Sequence, residues 1–211
     1  MSLPNYSTLF RKDRCDGRRG GGVAVFVHDS LHTKRIETLN GTNTPIEDIW
    51  MVVPSVQLLV IALYIPPNLS SKTVECINEQ LSDGIEKVLE HQPNLKVIVA
   101  GDMNKFPTKD IQKDFNLIQM VTCPTRGDNI LDKILVDESL TDTYQNAVVG
   151  PNLGNSDHRS VHMTAGNKAP VLYQVKTVYD CRFSHMENFR CFLRTYPWHH
   201  LFLSSVGVEM Q

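Results

Sequence analysis

The feature that most constrains the fold is a change of hydrophobic period in the middle of the chain. Residues 57–64, Gln57-Leu58-Leu59-Val60-Ile61-Ala62-Leu63-Tyr64, form a short apolar run of the kind that makes a strand buried on at least one face. From Ser71 the spacing becomes three and four, and Val74, Ile77, Leu81, Ile85 and Val88 trace the apolar stripe of an amphipathic helix. Gly84 costs that helix about 1 kcal/mol against Ala, and Pro93 with Asn94 marks its end. Lys96-Val97-Ile98-Val99-Ala100 then returns to a strand. Strand, helix and strand follow one another within a βαβ length, so an α/β architecture is expected.

Other segments fit around this unit. Residues 23–27 (Val-Ala-Val-Phe-Val) predict a strand, and residues 130–136, 146–149 and 160–164 predict further short strands separated by loops. With 211 residues and 41% hydrophobic content the chain can bury one sizeable core, and two independent domains would be cramped. Past Gly166 the character shifts: residues 171–178 look extended, and Ser184-His185-Met186-Glu187 has the capping-box pattern of a helix start. A main domain over 1–166 and an appended segment over 167–211 are therefore expected.

Composition excludes several function classes. A formal net charge of -2 rules out a basic coat, so contact with a polyanion must come from a local patch. Cys15, Cys76, Cys123, Cys181 and Cys191 are scattered without a Cys-x-x-Cys pair, which disfavours a disulfide scaffold or structural zinc and favours a reducing compartment. No apolar run is long enough to span a bilayer, and residues 1–5 lack the character of a signal peptide. The expected protein is intracellular, nuclear or cytoplasmic, and makes no membrane contact.

Two motifs carry chemistry. Gly101-Asp102-Met103-Asn104 follows the second strand of the βαβ unit, and Gly154-Asn155-Ser156-Asp157-His158 precedes another strand. A carboxylate at a strand end can orient or deprotonate water, and a neighbouring carboxamide can donate to it or to a phosphate oxygen. The alternative for Asp102 and Asn104 is a turn in which both bond their own backbone. His158 can donate to an oxygen that gains charge, while Asp157 can hold a metal or its water. Asp132 interrupts an apolar run, where a carboxylate is costly unless paired, and His158 is an obvious partner. Such a pair fixes the imidazole tautomer. The bland readings are a solvent-facing Asp132 on an edge strand, and a Tyr64 that packs with its hydroxyl in water.

Arg11, Lys12, Arg14, Arg18 and Arg19 precede Gly20-Gly21-Gly22 and suit either a phosphate-backbone track or a solvated hairpin loop. The glycines lack the Lys-Ser/Thr of a P-loop. His28 with His32, and His158 with His162, have helical metal-pair spacing without the His-Glu-x-x-His pattern, and the segment after His158 reads as a strand.

Taken in order, several stretches resemble the endonuclease/exonuclease/phosphatase superfamily, and most of all the endonuclease domains of non-long-terminal-repeat retrotransposon polyproteins. They are Leu9-Phe10-Arg11-Lys12-Asp13-Arg14, Arg18-Arg19-Gly20-Gly21-Gly22-Val23-Ala24-Val25, Tyr64-Ile65-Pro66-Pro67, Gly101-Asp102-Met103-Asn104, Cys123-Pro124-Thr125-Arg126, Leu131-Asp132 and Gly154-Asn155-Ser156-Asp157-His158. The resemblance implies a two-sheet α/β sandwich, DNase I-like, with the site at the strand ends of one edge. It also implies hydrolysis of a DNA phosphodiester with Mg (or Mn), the nick priming reverse transcription. Carried over residue by residue, Asp102 would position or deprotonate water beside Asn104, and Tyr64 would contact phosphate. His158 would stabilise the oxyanion, Asp132 would orient His158, and Asp157 would serve the metal. Arg18, Arg19 and Arg126 would contact DNA. Residues 167–211 resemble the connector toward a reverse transcriptase region, with 189–198 the most similar part.

One departure stands out. In the family a strand bearing an Asn, and a later strand ending in the metal-ligating Glu, precede the segment that matches Leu3-Pro4-Asn5-Tyr6, where here Met1 stands. The chain thus resembles a domain truncated at its N-terminus, missing its N-terminal strands and the usual Glu ligand, and inactive as it stands. Rival readings are another superfamily member, such as an abasic-site nuclease or a phosphatase, and a non-catalytic nucleic-acid-binding fragment or retroelement relic.

Overall fold

The computed structural model describes residues 3–14, 22–36, 45–166, 190, 191, 194 and 195. The chain divides into two compact units, Met1–Ala169 and Pro170–Gln211. In the second unit Arg190, Cys191, Arg194 and Thr195 are helical, and the Thr195 hydroxyl donates to the Cys191 carbonyl at 2.9 Å. The extended stretch expected over 171–178 and the helix start at Ser184 lie outside the described residues.

The first unit runs β1 (Thr8–Lys12), β2 (Val23–Val27), β3 (Lys34–Ile36), β4 (Glu47–Val53), β5 (Leu58–Tyr64), α1 (Ser71–His91), β6 (Lys96–Asp102), α2 (Lys109–Asp114), β7 (Leu117–Gln119), β8 (Asp132–Asp137), β9 (Val148–Asn152) and β10 (Arg159–His162). A six-stranded sheet of order β3-β4-β5-β6-β8-β7 forms its centre. Only β5 and β6 pair in parallel, joined by α1 as the crossover, and the remaining neighbours are antiparallel.

The crossover forms because its sequence leaves it little choice. Ser70 caps α1 by accepting the Thr73 N–H at 3.2 Å, and Ile77, Leu81, Gly84 and Ile85 are the buried positions. The three aliphatic side chains pack against Trp50, Leu59, Ile61, Val97, Val99 and Leu135 on one face of the sheet. Each such burial contributes roughly 1.5–3 kcal/mol.

The opposite face carries two antiparallel hairpins, β1-β2 and β9-β10. Phe10, Val23, Val25 and Val27 cover Ile49 and Met51, while Val149 and Val161 pack with Ile98, Ile134 and Val136. The result is the expected layered α/β sandwich, with the second layer built from these two hairpins.

β4 has no counterpart among the strands expected from the sequence. All seven of its residues are buried, so no polar alternation marks it, and it opens on two carboxylates, Glu47 and Asp48. Asp48 is tolerated because it is paired: it accepts from Lys12 Nζ and from the Trp50 indole N–H, the latter at 2.7 Å.

At the end of β6 the chain turns through Gly101, whose φ is +148°. A Cβ placed there would lie 1.8 Å from the Leu63 carbonyl oxygen of the neighbouring strand. Only glycine allows β5 and β6 to stay in register up to Tyr64 and Asp102. Gly101→Ala is therefore expected to cost about 3 kcal/mol or more, read as a lower midpoint in urea denaturation.

Candidate active site

Register places the polar residues. Glu47 on β4 opposes Tyr64 on β5, Tyr64 opposes Asp102 on β6, and Asp102 opposes Asp132 on β8. Directly opposed residues point to the same side of a sheet, so these four side chains form one row. It is the last row of the face that the hairpins cover, one step beyond the apolar row Ile49, Ala62, Ala100, Ile134.

The loop before β10 brings His158 to this row. His158 Nδ1 and Asp132 Oδ2 are 2.8 Å apart, the pairing expected from the sequence. A carboxylate on Nδ1 leaves the Nε2 edge to address the site. Nε2 lies 4.0 Å from Asp102 Oδ2, longer than a hydrogen bond. Asp102, Asp132 and His158 thus converge, each offering one ligand atom within 4.8 Å of the others. β8 lies between β6 and β7, so Asp132 is not on the edge strand of the bland reading.

The turn reading of Gly-Asp-Met-Asn is also present. Asp102 Oδ1 accepts the Asn104 backbone N–H at 3.1 Å, and Asn104 adopts a left-handed φ of 47°. Asn104 is 8% exposed, and its Nδ2 donates to the Ile65 carbonyl at 2.8 Å, tying the loop after β5 to the loop after β6. The turn occupies one oxygen of Asp102 and leaves the other toward His158.

Burial raises the Asp102 pKa above the ordinary 3.8, and the charge of Asp132 adds to the rise, while the Asn104 N–H, His158 and Arg126 oppose it. The folded state therefore holds the Asp102 proton more tightly than the unfolded chain does.

Thr125 is the site residue that sequence reasoning missed, although it stands in the Cys-Pro-Thr-Arg stretch. It is fully buried, and its hydroxyl oxygen accepts the Leu131 and Asp132 backbone N–H groups at 3.0 and 3.1 Å. Its carbonyl accepts the Arg159 N–H at 2.8 Å, so one residue anchors both the Asp132 strand and the strand that follows His158.

The expected metal residue Asp157 and the expected DNA contact Arg126 meet each other. Arg126 Nη2 and Asp157 Oδ2 form an ion pair at 2.5 Å, with the Arg126 side chain about half exposed and that of Asp157 about two-thirds exposed. Asp157 stands outside the Asp102, Asp132, His158 convergence. Arg18 and Arg19 lie outside the described residues. His28 Nδ1 contacts Ser30, and His162 Nε2 contacts Ser160.

A cleft of about 760 Å³ opens beside the row, lined by Asn104, Lys105, Arg126 and Asp157 and by Pro66, Pro67, Leu69, Phe106 and Leu131. Two cations and a largely apolar wall can together receive a charged group attached to a flat or ringed one.

The row and the imidazole bring two carboxylates, a phenol and a histidine together at the strand ends of an α/β sandwich. Residues 2–158 match the Endonuclease/Exonuclease/phosphatase family, and the chain belongs to that family, whose chemistry is metal-dependent phosphoester hydrolysis. The fold is similar to that of the endonuclease domain of TRAS1, a telomere-specific non-LTR retrotransposon, at 19% identity and a TM-score of 0.54, covering 75% of this chain and 79% of that one. It is also similar to a Bacteroides thetaiotaomicron mannosyl-6-phosphatase, at 14% identity and a TM-score of 0.52 over 78% of each chain. A third likeness is the human Nocturnin catalytic domain with bound sulfate anion, at 16% identity and a TM-score of 0.51, covering 76% and 73%. No curated protein sequence matches the chain. Among the described residues, no helix is long and apolar enough to cross a membrane.

Two predictions follow from this geometry. Asp102→Asn keeps an acceptor for the Asn104 N–H but removes the ill-placed charge. A raised folded pKa contributes stability only below the unfolded value, near 3.8, and loses it as pH rises through the folded value. The variant should therefore melt at a higher temperature than the parent at pH 7, with the difference vanishing toward pH 3. Thr125→Val should cost ~2–4 kcal/mol, because it orphans one buried and one half-buried N–H group. It should also shift the His158 ring signals in NMR spectra.

Proposed function

We propose that this chain is the endonuclease portion of a non-long-terminal-repeat retrotransposon polyprotein, acting on a DNA phosphodiester. The nick it is built to make leaves a 3′ hydroxyl for the reverse transcriptase region of the same polyprotein to extend. The observation that carries this reading is the single row of Tyr64, Asp102 and Asp132 with His158 bonded to its end. The retroelement assignment is supported by the ordered motifs from Leu9 to His158 and by the likeness to the TRAS1 domain.

The donor set fits a hard divalent cation. Two carboxylates meet in a half-buried place, Asp102 binds its proton unusually tightly there, and oxygen ligands suit Mg or Mn. Asp102 with Asp132 would hold the ion, and when bound it would polarise a phosphoryl oxygen and offset the charge that develops there.

The chain's own groups supply the rest. Asp102 Oδ2, the oxygen not engaged by the Asn104 N–H, accepts a proton from the attacking water. The 4.0 Å between Oδ2 and His158 Nε2 lets the two address one phosphate without bonding each other. Asp132 holds the imidazole by its Nδ1–H, and in the protonated ring, which that carboxylate favours, Nε2–H donates to the phosphate oxygen that gains charge. The Tyr64 hydroxyl donates to a second phosphate oxygen. Arg126 exchanges Asp157 for a backbone phosphate, and the apolar wall of the cleft carries the sugar and base.

One carboxylate of this pair is already committed to His158, and the other accepts the Asn104 N–H. Such a set holds Mg weakly, and we expect the 211-residue chain to leave supercoiled plasmid intact in millimolar Mg. In Mn, which is less demanding of octahedral geometry than Mg, it should nick slowly, and His158→Ala and Asp102→Asn should lower that rate by about 100-fold or more. Efficient nicking in Mg that Asp102→Asn abolishes would overturn the weak-metal part and keep the hydrolytic part. Mn-driven nicking indifferent to both substitutions would overturn the hydrolytic reading itself.

A further inference from the structure

The row at the sheet edge has a fourth member that the hydrolytic chemistry leaves unused. Glu47 opposes Tyr64 across the β4-β5 ladder, and at 8% exposure it is the most deeply buried carboxylate of the row. One of its oxygens, Oε1, accepts from Arg14 Nε at 3.3 Å. The other, Oε2, is buried without a hydrogen-bond partner among the described residues. A buried charge kept with one oxygen unsatisfied is costly to a fold and calls for a reason beyond packing.

Arg14 supplies that reason. It follows β1, in the hairpin that covers this face, and its side chain is largely buried. Its guanidinium carbon lies 5.3 Å from the centroid of the Tyr64 ring, within cation–π range. A guanidinium is planar and rigid, so a carboxylate bonded at Nε fixes the tilt of the plane lying against the aromatic ring. Glu47 therefore holds Arg14, and Arg14 holds Tyr64.

We propose that Arg14 and Glu47 are positioning residues that set the Tyr64 ring, and through it the direction in which the phenolic hydroxyl meets a substrate phosphate. This rests on the hydrolytic reading of Tyr64 given above, but the brace itself can be read without turnover. A tyrosine at a strand end has two soft side-chain torsions, and donors to a reacting phosphate act only within a narrow range of position. Contact with Arg14 restricts those torsions before substrate arrives. The β1-β2 hairpin thereby acquires a role in the site although it contributes no residue to the Asp102, Asp132, His158 convergence.

The test uses the full chain with carbon-13-labelled tyrosine rings, the Tyr64 signals being assigned by their loss in Tyr64→Phe. Arg14→Met keeps the apolar stem and removes the cation, Glu47→Val removes the carboxylate, and Glu47→Gln keeps an acceptor for Arg14 Nε. Arg14→Met and Glu47→Val should both move the Tyr64 ring signals, Glu47→Gln should move them less than half as far, and the Trp50 indole signal should report an intact core. If Tyr64 signals stay put in a folded Arg14→Met chain, the brace is overturned whatever the rates.

Mn-driven plasmid nicking then asks whether the brace serves the hydroxyl. Arg14→Met should slow nicking about 10-fold in the parent and not at all in a Tyr64→Phe background, because coupled residues are non-additive. Losses that multiply, or no loss in the parent, would overturn the positioning role. If the parent chain shows no nicking under any metal, the hydrolytic reading fails, and the ring signals alone decide for or against the brace.

Discussion

The parallel pairing of β5 with β6 is the constraint through which the rest of the molecule is organised. It requires a crossover, which α1 provides, and a close approach of two backbones at the strand ends, which Gly101 permits against the Leu63 carbonyl. With that register set, Tyr64 and Asp102 become neighbours. The antiparallel partners β4 and β8 then add Glu47 on one side and Asp132 on the other. A shift of one residue in any of these ladders would turn the affected side chains to the helix-covered face.

The electrostatics follow from that placement. Two carboxylates brought together in a half-buried row repel each other, and the structure answers in two different ways. Asp132 is hydrogen-bonded to His158 and anchored through its backbone by Thr125. Asp102 is left with a raised proton affinity, an Asn104 N–H on one oxygen and an imidazole 4.0 Å from the other. That setting favours the protonated form of Asp102 and disfavours its charge, which lowers stability at neutral pH.

Much of this was legible beforehand, and the exceptions have physical causes. The stripe from Val74 to Val88 and the run 96–100 announced the crossover because a helix and a buried strand have different periods. The Asp132–His158 pair was legible because a carboxylate inside an apolar run needs a partner. β4 was not, since a strand buried on both faces shows no alternation and its two leading carboxylates look like loop residues until Lys12, Arg14 and the Trp50 indole are seen to pair with them. β3, β7 and α2 are too short to carry a period of their own. Thr125 was marked only as part of the Cys123-Pro124-Thr125-Arg126 stretch: its part is to accept backbone N–H groups six and seven residues away, and no local pattern shows which loop threonine does so. The Arg126–Asp157 pair joins two residues that sequence reasoning had assigned to different tasks, because it depends on how two loops fold against each other.

By itself the sequence determined the α/β class, the crossover, the ancestry carried by its ordered motifs, and the residue types available for phosphoester chemistry. These depend on local period and on short motifs, which are properties of neighbouring residues. Tertiary structure alone decided that Glu47, Tyr64, Asp102 and Asp132 share one row, that Asp102 is the carboxylate whose charge is disfavoured and Asp132 the one bonded to His158, and that Arg14 reaches Tyr64 from a separate hairpin. Those outcomes turn on strand register and on the approach of distant segments, which no local pattern encodes.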